Sequence, residues 1–334
     1  MFLHIVGARP NFPKVKPLME EMSKNGIPQK LLHTGQHYDY LMSKIFFKDL
    51  DIPTPDFYLE KHIGETHAQQ TGNMMIELEK AFDYIKPKAV IVYGDINSTL
   101  SASLVATKLH IPLIHIEAGC RSFDRKMPEE INRVLVDHIS NYLFCIDNHS
   151  LHNLKKEGIT NNVYLSGNLM IDTLKQMKLE DNPNDYILMT LHRPSNVDNK
   201  DKLFQILNDV NSLKEQVLFP AHPRVKKMIE NKKFNNIDIV EPMGYKKFIT
   251  NLKNCKYVIS DSGGVQCESS VLNTPLITLR DSSEHLDTIE YGTNTLCSDS
   301  SEIKNIELKY SDYSPEIWDG KSAKRIVEVI NGLL

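Results

Sequence analysis

The feature that most constrains this chain is a repeated alternation. Short, nearly continuous runs of aliphatic and β-branched residues recur along it, each followed by a longer amphipathic stretch. The runs at 2–6, 30–33, 89–93, 113–117 and 142–146 suit parallel strands buried on both faces. Helical spacing lies between them, as at 73–84, where Met75, Leu78, Ala81 and Phe82 share one face. Strand–helix alternation in this order predicts a doubly wound α/β sheet.

The pattern then restarts. Residues 186–191 read as a strand, 202–213 as a helix, and 216–219, 237–240, 257–260 and 275–279 as further strands. A chain of 334 residues has room for about two domains. The break is expected near 166–168 or in the polar stretch 179–185. We place one Rossmann-like domain at 1–167 and a second at 168–334, with a cleft between them. The last helix, near 323–333, has Ile326, Val327, Val329 and Ile330 to bury, and packing back on the first domain is one way to do so.

Composition narrows the function. With 41% hydrophobic and 25% charged residues, the chain is not largely disordered. A net charge of −4 disfavours general nucleic-acid binding, which runs on excess Lys and Arg. No apolar run approaches the roughly 18 residues of a membrane span. The first residues carry no basic region and turn at Gly7, unlike a signal peptide. The five cysteines, Cys120, Cys145, Cys255, Cys267 and Cys297, show no C-x-x-C spacing, so neither a disulfide framework nor a zinc cluster is expected. The expected location is the cytoplasm.

Doubly wound sheets bind ligands beyond the carboxyl ends of their strands, so the residues after each strand carry the argument. Gly7-Ala8-Arg9-Pro10 follows the first strand, and Arg9 and Lys14 stand near a helix start, which favours a phosphate. A solvated turn with surface charges reads equally well from spacing alone. Asp95 follows 89–93 and could be a helix cap. Glu117 ends the next strand, where a buried carboxylate must be paired or used, and Arg121 is a candidate partner. Glu129 and Glu130 open a helix, where the dipole also favours acids. In the second half, His192 and His222 follow strands. Ser262-Gly263-Gly264 joins a strand to a helix and makes an anion site of backbone N–H groups. Glu268 lies one turn into that helix, placed to accept from ribose hydroxyls. The set describes a nucleotide-linked substrate, with carboxylates over its other end.

These residues carry a family likeness. Gly7-Ala8-Arg9-Pro10, Gly94-Asp95-Ile96-Asn97-Ser98-Thr99, His115-Ile116-Glu117-Ala118-Gly119 and Pro128-Glu129-Glu130-Ile131-Asn132-Arg133 occur in order. Leu191-His192-Arg193-Pro194, His222-Pro223 and Asp261-Ser262-Gly263-Gly264-Val265-Gln266 follow. The chain resembles a non-hydrolysing UDP-N-acetylglucosamine 2-epimerase over nearly its whole length. The resemblance implies a GT-B fold and a cytoplasmic homodimer. It also implies interconversion of UDP-GlcNAc and UDP-ManNAc without a metal or redox cofactor. Asp95, Glu117, Glu129 and His192 are then catalytic. Arg9, Lys14, Arg133, His222, Phe248, Ser262, Gly263, Gly264, Glu268 and His285 hold the substrate or its UDP. Three departures stand out. Glu284-His285-Leu286 replaces a Glu-Arg-Pro, Cys267 stands where an acid is common, and a second, activating sugar-nucleotide site is only partly matched. In that last set Gln36 and His37 fit, while Asp39 and Asn73 do not.

The chemistry implied is elimination and re-addition. Hydrogen on carbon 2 of the sugar has no adjacent carbonyl to acidify it. UDP must therefore leave early and build positive character at the anomeric carbon. Carboxylates would stabilise that charge and one would take the proton, while Arg9, His192 and the amides of 262–264 stabilise the departing UDP. Three other readings stay open: a hydrolysing epimerase, a glycosyltransferase, which would need an acceptor groove for which no motif is visible, and a sugar-nucleotide-binding regulator.

Overall fold

The computed structural model describes residues 1–36, 40–60, 65–230, 232–311, 313, 315–333, and the side chains of all of these except 40–44, 223 and 224. The positions called at His37 and Asp39 lie outside the described residues.

The first sheet is built from β1 (Phe2–Val6), β2 (Gln29–His33), β3 (Phe57–Tyr58), β4 (Ala89–Tyr93), β5 (Leu113–Ala118), β6 (Tyr142–Cys145) and β7 (Val163–Leu165). Its order is β3-β2-β1-β4-β5-β6-β7, and every pairing is parallel. The helices are α1 (Phe12–Lys24), α2 (Tyr40–Asp49), α3 (His67–Ile85), α4 (Asn97–Lys108), α5 (Pro128–Ile139), α6 (Asn148–Lys156) and α7 (Leu169–Gln176). Order reverses between β1 and β4, so their carboxyl ends flank the switch point where such sheets take ligands. Leu3, Ile5, Val90 and Val92 pack there against Met74, Leu78 and Phe82 of α3 and Ala102 and Val105 of α4. Each such side chain, fully buried, stabilises the fold by roughly 1.5–3 kcal/mol.

The second sheet repeats the plan. It contains β8 (Ile187–Thr190), β9 (Val217–Pro220), β10 (Ile237–Val240), β11 (Tyr257–Ser260), β12 (Leu276–Thr278) and β13 (Asn294–Leu296), in the order β10-β9-β8-β11-β12-β13. All pairings are again parallel. The accompanying helices are α8 (Pro194–Val197), α9 (Lys200–Asn211), α10 (Pro223–Ile229), α11 (Tyr245–Asn254), α12 (Gly263–Val271) and α13 (Leu286–Glu290). Met189, Phe219, Ile259 and Ile277 meet Leu203, Ile206, Leu207 and Val210 of α9 in its core.

The chain divides into two compact units, Met1–Gln176 with Pro315–Leu334, and Met177–Ser314. The division placed at 167/168 from the sequence therefore falls inside the first unit. The reason is α7, which packs on α1, with Thr173 Oγ1 donating to the Pro13 carbonyl at 2.6 Å. The returning segment ends in α14 (Ser322–Asn331), which also packs on α1. Asp172 accepts from the backbone N–H groups of Ser322 and Ala323, at 3.1 and 2.8 Å, and so caps α14. The Trp318 indole donates to the Ile146 carbonyl at 2.9 Å. Gly167, at φ +88°, lets this segment approach: a Cβ there would stand 2.4 Å from the Ile317 carbonyl oxygen.

One helix differs from its sequence reading. α3 starts at His67 rather than 73, because Thr66 and Gln69 form a capping box ahead of two polar turns. Its buried stripe is Met74, Leu78 and Phe82, with Met75 and Ala81 only half-buried beside them.

Candidate active site

In the first unit, the strand ends at the switch point gather charge. Gly94 and Asp95 follow β4. Asp95 caps nothing: the N-cap of α4 is Ile96. The Asp95 carboxylate instead pairs with the Arg133 guanidinium, whose Nε donates to it at 3.1 Å. Arg133 also reaches Glu130 at 2.9 Å. Glu130 is a buried structural acid that further accepts from the Ser122 N–H and hydroxyl and the Phe123 N–H. Glu129, its neighbour on the first turn of α5, is half-buried.

Glu117 lies in an irregularity of β5. The register with β6 shifts between Ile116 and Ala118, and Glu117 takes φ +74°. A bulge of this kind re-aims a side chain. Its carboxylate meets Lys14 Nζ at 2.5 Å. Burial works against the Lys14 charge, but Glu117, with help from Asp95, outweighs it and raises the ammonium above its ordinary range. Arg121, the partner suggested by sequence proximity, is engaged elsewhere, with Asp137 at 2.7 Å and Glu157 at 2.8 Å. Lys14 and Arg133, expected to hold the substrate or its UDP, pair with the Glu117 and Asp95 carboxylates. Arg9 is half-buried over the Phe46 ring, 5.8 Å from its centroid.

In the second unit the switch point lies between β8 and β11, and Asp261 spans it. It accepts from the His192 and Arg193 N–H groups at 3.0 Å, from Asn196 at 3.1 Å, and from His192 Nδ1 at 2.9 Å. Burial opposes its charge, yet His192 and these donors hold the carboxyl below its usual range. The His192 side chain is 55% exposed, so its Nε2 edge is free to meet a ligand. Ser262 is the N-cap of α12 and makes no side-chain cap bond. A Cβ on Gly263 would stand 2.4 Å from Glu284 Oε1, so a side chain at this turn would have to displace the Glu284 carboxylate. Nearby, His285 is buried, and its Nδ1 has no hydrogen-bond partner among the described residues. Glu268 is buried and accepts from the Tyr245 hydroxyl at 2.6 Å. Burial, and then Glu268, push that phenol well above its usual range. Phe248 packs half-buried against Leu188, Leu252 and Val258, and His222 is exposed after β9. Among the described residues no cluster of His, Cys, Asp or Glu is arranged to hold a metal ion.

Sequence reasoning named Asp261 and His115 only within motifs and missed Asp137. Their partners lie 16 to 69 positions away, so no local pattern marks them.

The profile of the family described as UDP-N-acetylglucosamine 2-epimerase matches residues 20–331. The chain belongs to this family. A UDP-N-acetylglucosamine 2-epimerase of Methanocaldococcus jannaschii is 42% identical, with 98% of this chain and 97% of the relative aligned. A UDP-2,3-diacetamido-2,3-dideoxy-D-glucuronate 2-epimerase of Pseudomonas aeruginosa is 40% identical over 88% of this chain and 87% of the relative. The crystal structure of the M. jannaschii epimerase with UDP-GlcNAc and UDP superposes with a TM-score of 0.90 at 40% identity, covering 99% of this chain and 100% of that one. The fold of this family member is GT-B-like, two parallel-sheet α/β units, and a calicheamicin glycosyltransferase at 9% identity shares the fold alone, with a TM-score of 0.56.

Proposed function

We propose that this chain is a non-hydrolysing 2-epimerase interconverting UDP-GlcNAc and UDP-ManNAc, and so supplying cell-surface polysaccharide synthesis. The observation that carries this reading is the charge arrangement at the first switch point. Asp95 and Glu117 each end a strand and each face a buried cation, Arg133 and Lys14. Carboxylates gathered in this way can stabilise an anomeric cation and exchange a proton at carbon 2. Glu129 completes the set. The second unit takes UDP through the amides of 262–264 at the start of α12, with His192 supporting the leaving anion. His222, Phe248, Glu268 and His285 belong to the nucleotide side. The resemblance adds catalysis without a metal or redox cofactor, a homodimer and a cytoplasmic location. No described helix is long and apolar enough to cross a membrane.

A second substrate is supported by the P. aeruginosa relative, whose sugar carries acetamido groups at carbons 2 and 3 and a carboxylate. Both are tested together. Each UDP-sugar is incubated with the protein in deuterated water and followed by proton NMR. The expected product from UDP-GlcNAc is UDP-ManNAc with deuterium at carbon 2. Free sugar plus UDP would establish hydrolysis instead. Turnover of the diacetamido uronate alone would reassign the substrate, and no change in either would reject the epimerase reading.

A further inference from the structure

We infer that His115 and Asp137 are positioning residues that set the two strand-end carboxylates of the first unit; this rests on the function proposed above. His115 is on β5 and Asp137 on α5, and both are fully buried. His115 Nε2 donates to the Gly94 carbonyl at 2.8 Å, and Gly94 immediately precedes Asp95. The other ring nitrogen, Nδ1, meets Asp137 Oδ1 at 2.6 Å. The second oxygen of Asp137 accepts from the Gly119 N–H at 3.0 Å and from Arg121 at 2.7 Å. Gly119 lies two residues beyond Glu117. One buried carboxylate thus ties together the loops that carry Asp95 and Glu117.

The protonation pattern follows from the acceptors. A carbonyl oxygen and a carboxylate both require a donor, so His115 donates from each ring nitrogen, which only the imidazolium does. Burial opposes the charge on Asp137, and His115 and Arg121 outweigh it, holding that carboxyl below its usual range. The network is charge-assisted throughout, the strong form of hydrogen bonding.

The network has something to hold. Glu117 at φ +74° and Gly119 at φ +80° are consecutive left-handed turns around Ala118. A left-handed glutamate persists only where its surroundings over-determine it. Asp137 fixes the segment from one side, and Asn153 of α6 fixes it from the other by donating to the Gly119 carbonyl at 3.0 Å. Neither His115 nor Asp137 touches the carboxylates themselves. Their effect passes through the backbone, where a displacement of about 1 Å at a reacting group can cost two orders of magnitude in rate.

The test compares His115→Phe, Asp137→Leu and Asp137→Asn by steady-state kinetics on UDP-GlcNAc, UDP affinity and amide hydrogen exchange. The Phe and Leu variants should lose roughly 10–100-fold in kcat, with KM and UDP affinity within about twofold of the parent. Their amides at 117–119 should exchange at least about tenfold faster. Asn should rescue most of that loss. Its oxygen can accept from Gly119 and Arg121 while its amide donates to a neutral His115 that still reaches Gly94. Parental kcat and parental exchange in the Phe and Leu variants would overturn the inference, as would an Asn variant as impaired as Leu. If the parent itself does not turn over the sugar, the proposed function fails, and amide exchange alone decides the positioning role. If the Phe and Leu variants do not fold, the parent's ¹⁵N-histidine spectrum decides. Two protonated ring nitrogens on His115 support the network, and a single one overturns it.

Discussion

Glu117 combines an uncommon backbone conformation with a short ion pair, and its neighbours account for both. A left-handed non-glycine residue costs on the order of 1–3 kcal/mol, which the surrounding contacts must offset. If the carboxylates act on the sugar, amide replacements keep their shape and remove their chemistry. Asp95→Asn, Glu117→Gln and Glu129→Gln should each lower turnover by about 100-fold or more. Calorimetric UDP affinity should stay within about twofold, because UDP is assigned to the second unit. Near-parental turnover in all three variants would make these acids structural. Thermal melting should separate them further. Glu117→Gln strips the buried Lys14 ammonium of its partner and should cost up to about 3 kcal/mol, whereas half-buried Glu129→Gln should cost little. The acids were legible in the sequence as strand-end residues, but their cations were not. Lys14 and Glu117 are 103 positions apart, and it takes the pairing of β1 with β4 and of β4 with β5 to bring them into contact.

Among the elements, β1 and β2 carry a pH-sensitive pair. His4 on β1 is held between the Tyr93 hydroxyl and Gln29, and His33 on β2 accepts from the Gly35 N–H with Phe12, Phe47 and Tyr58 around it. Burial lowers both imidazoles to about 4. Between pH 6.5 and 4 the unfolded chain therefore binds protons that the folded chain does not, so unfolding free energy rises with pH across that window and is lost as the pH is lowered through it. The slope should approach about 1.4 kcal/mol per pH unit for each histidine. Denaturant titrations from pH 7 to pH 4 check this, and His4→Gln should flatten the curve; an unchanged slope would reassign the acid sensitivity. The interior strands were readable because a strand buried on both faces is apolar at nearly every position. Of the edge strands, β10 was readable at 237–240, whereas β3, β7 and β13 were not, since two or three residues give no period to detect. The start of α3 was hidden for a related reason: its first two turns are polar, and only the capping box marks them.

At the scale of the whole molecule, two units with separate cores should not melt as one. Calorimetry is expected to show two transitions, of which UDP raises the one belonging to the second unit. Asp172→Ala removes the acceptor that caps α14 and should lower the other transition, by about 1–2 kcal/mol in stability. A shift of the UDP-sensitive transition instead would mean that α14 supports the second unit. The return of the chain at Pro315 also fixes an order of events during synthesis. The second unit is continuous, and all of it is synthesised before any of Pro315–Leu334. It needs no residue made after it and can fold as a unit, as domains commonly do. The first unit begins earlier yet finishes later, because α1 and α7 keep an uncovered face until Trp318 and α14 arrive. A chain truncated after residue 314 and released would therefore hold a complete second unit and an incomplete first one. The face of α1 and α7 that α14 would cover is the apolar surface such a chain leaves open to chaperones.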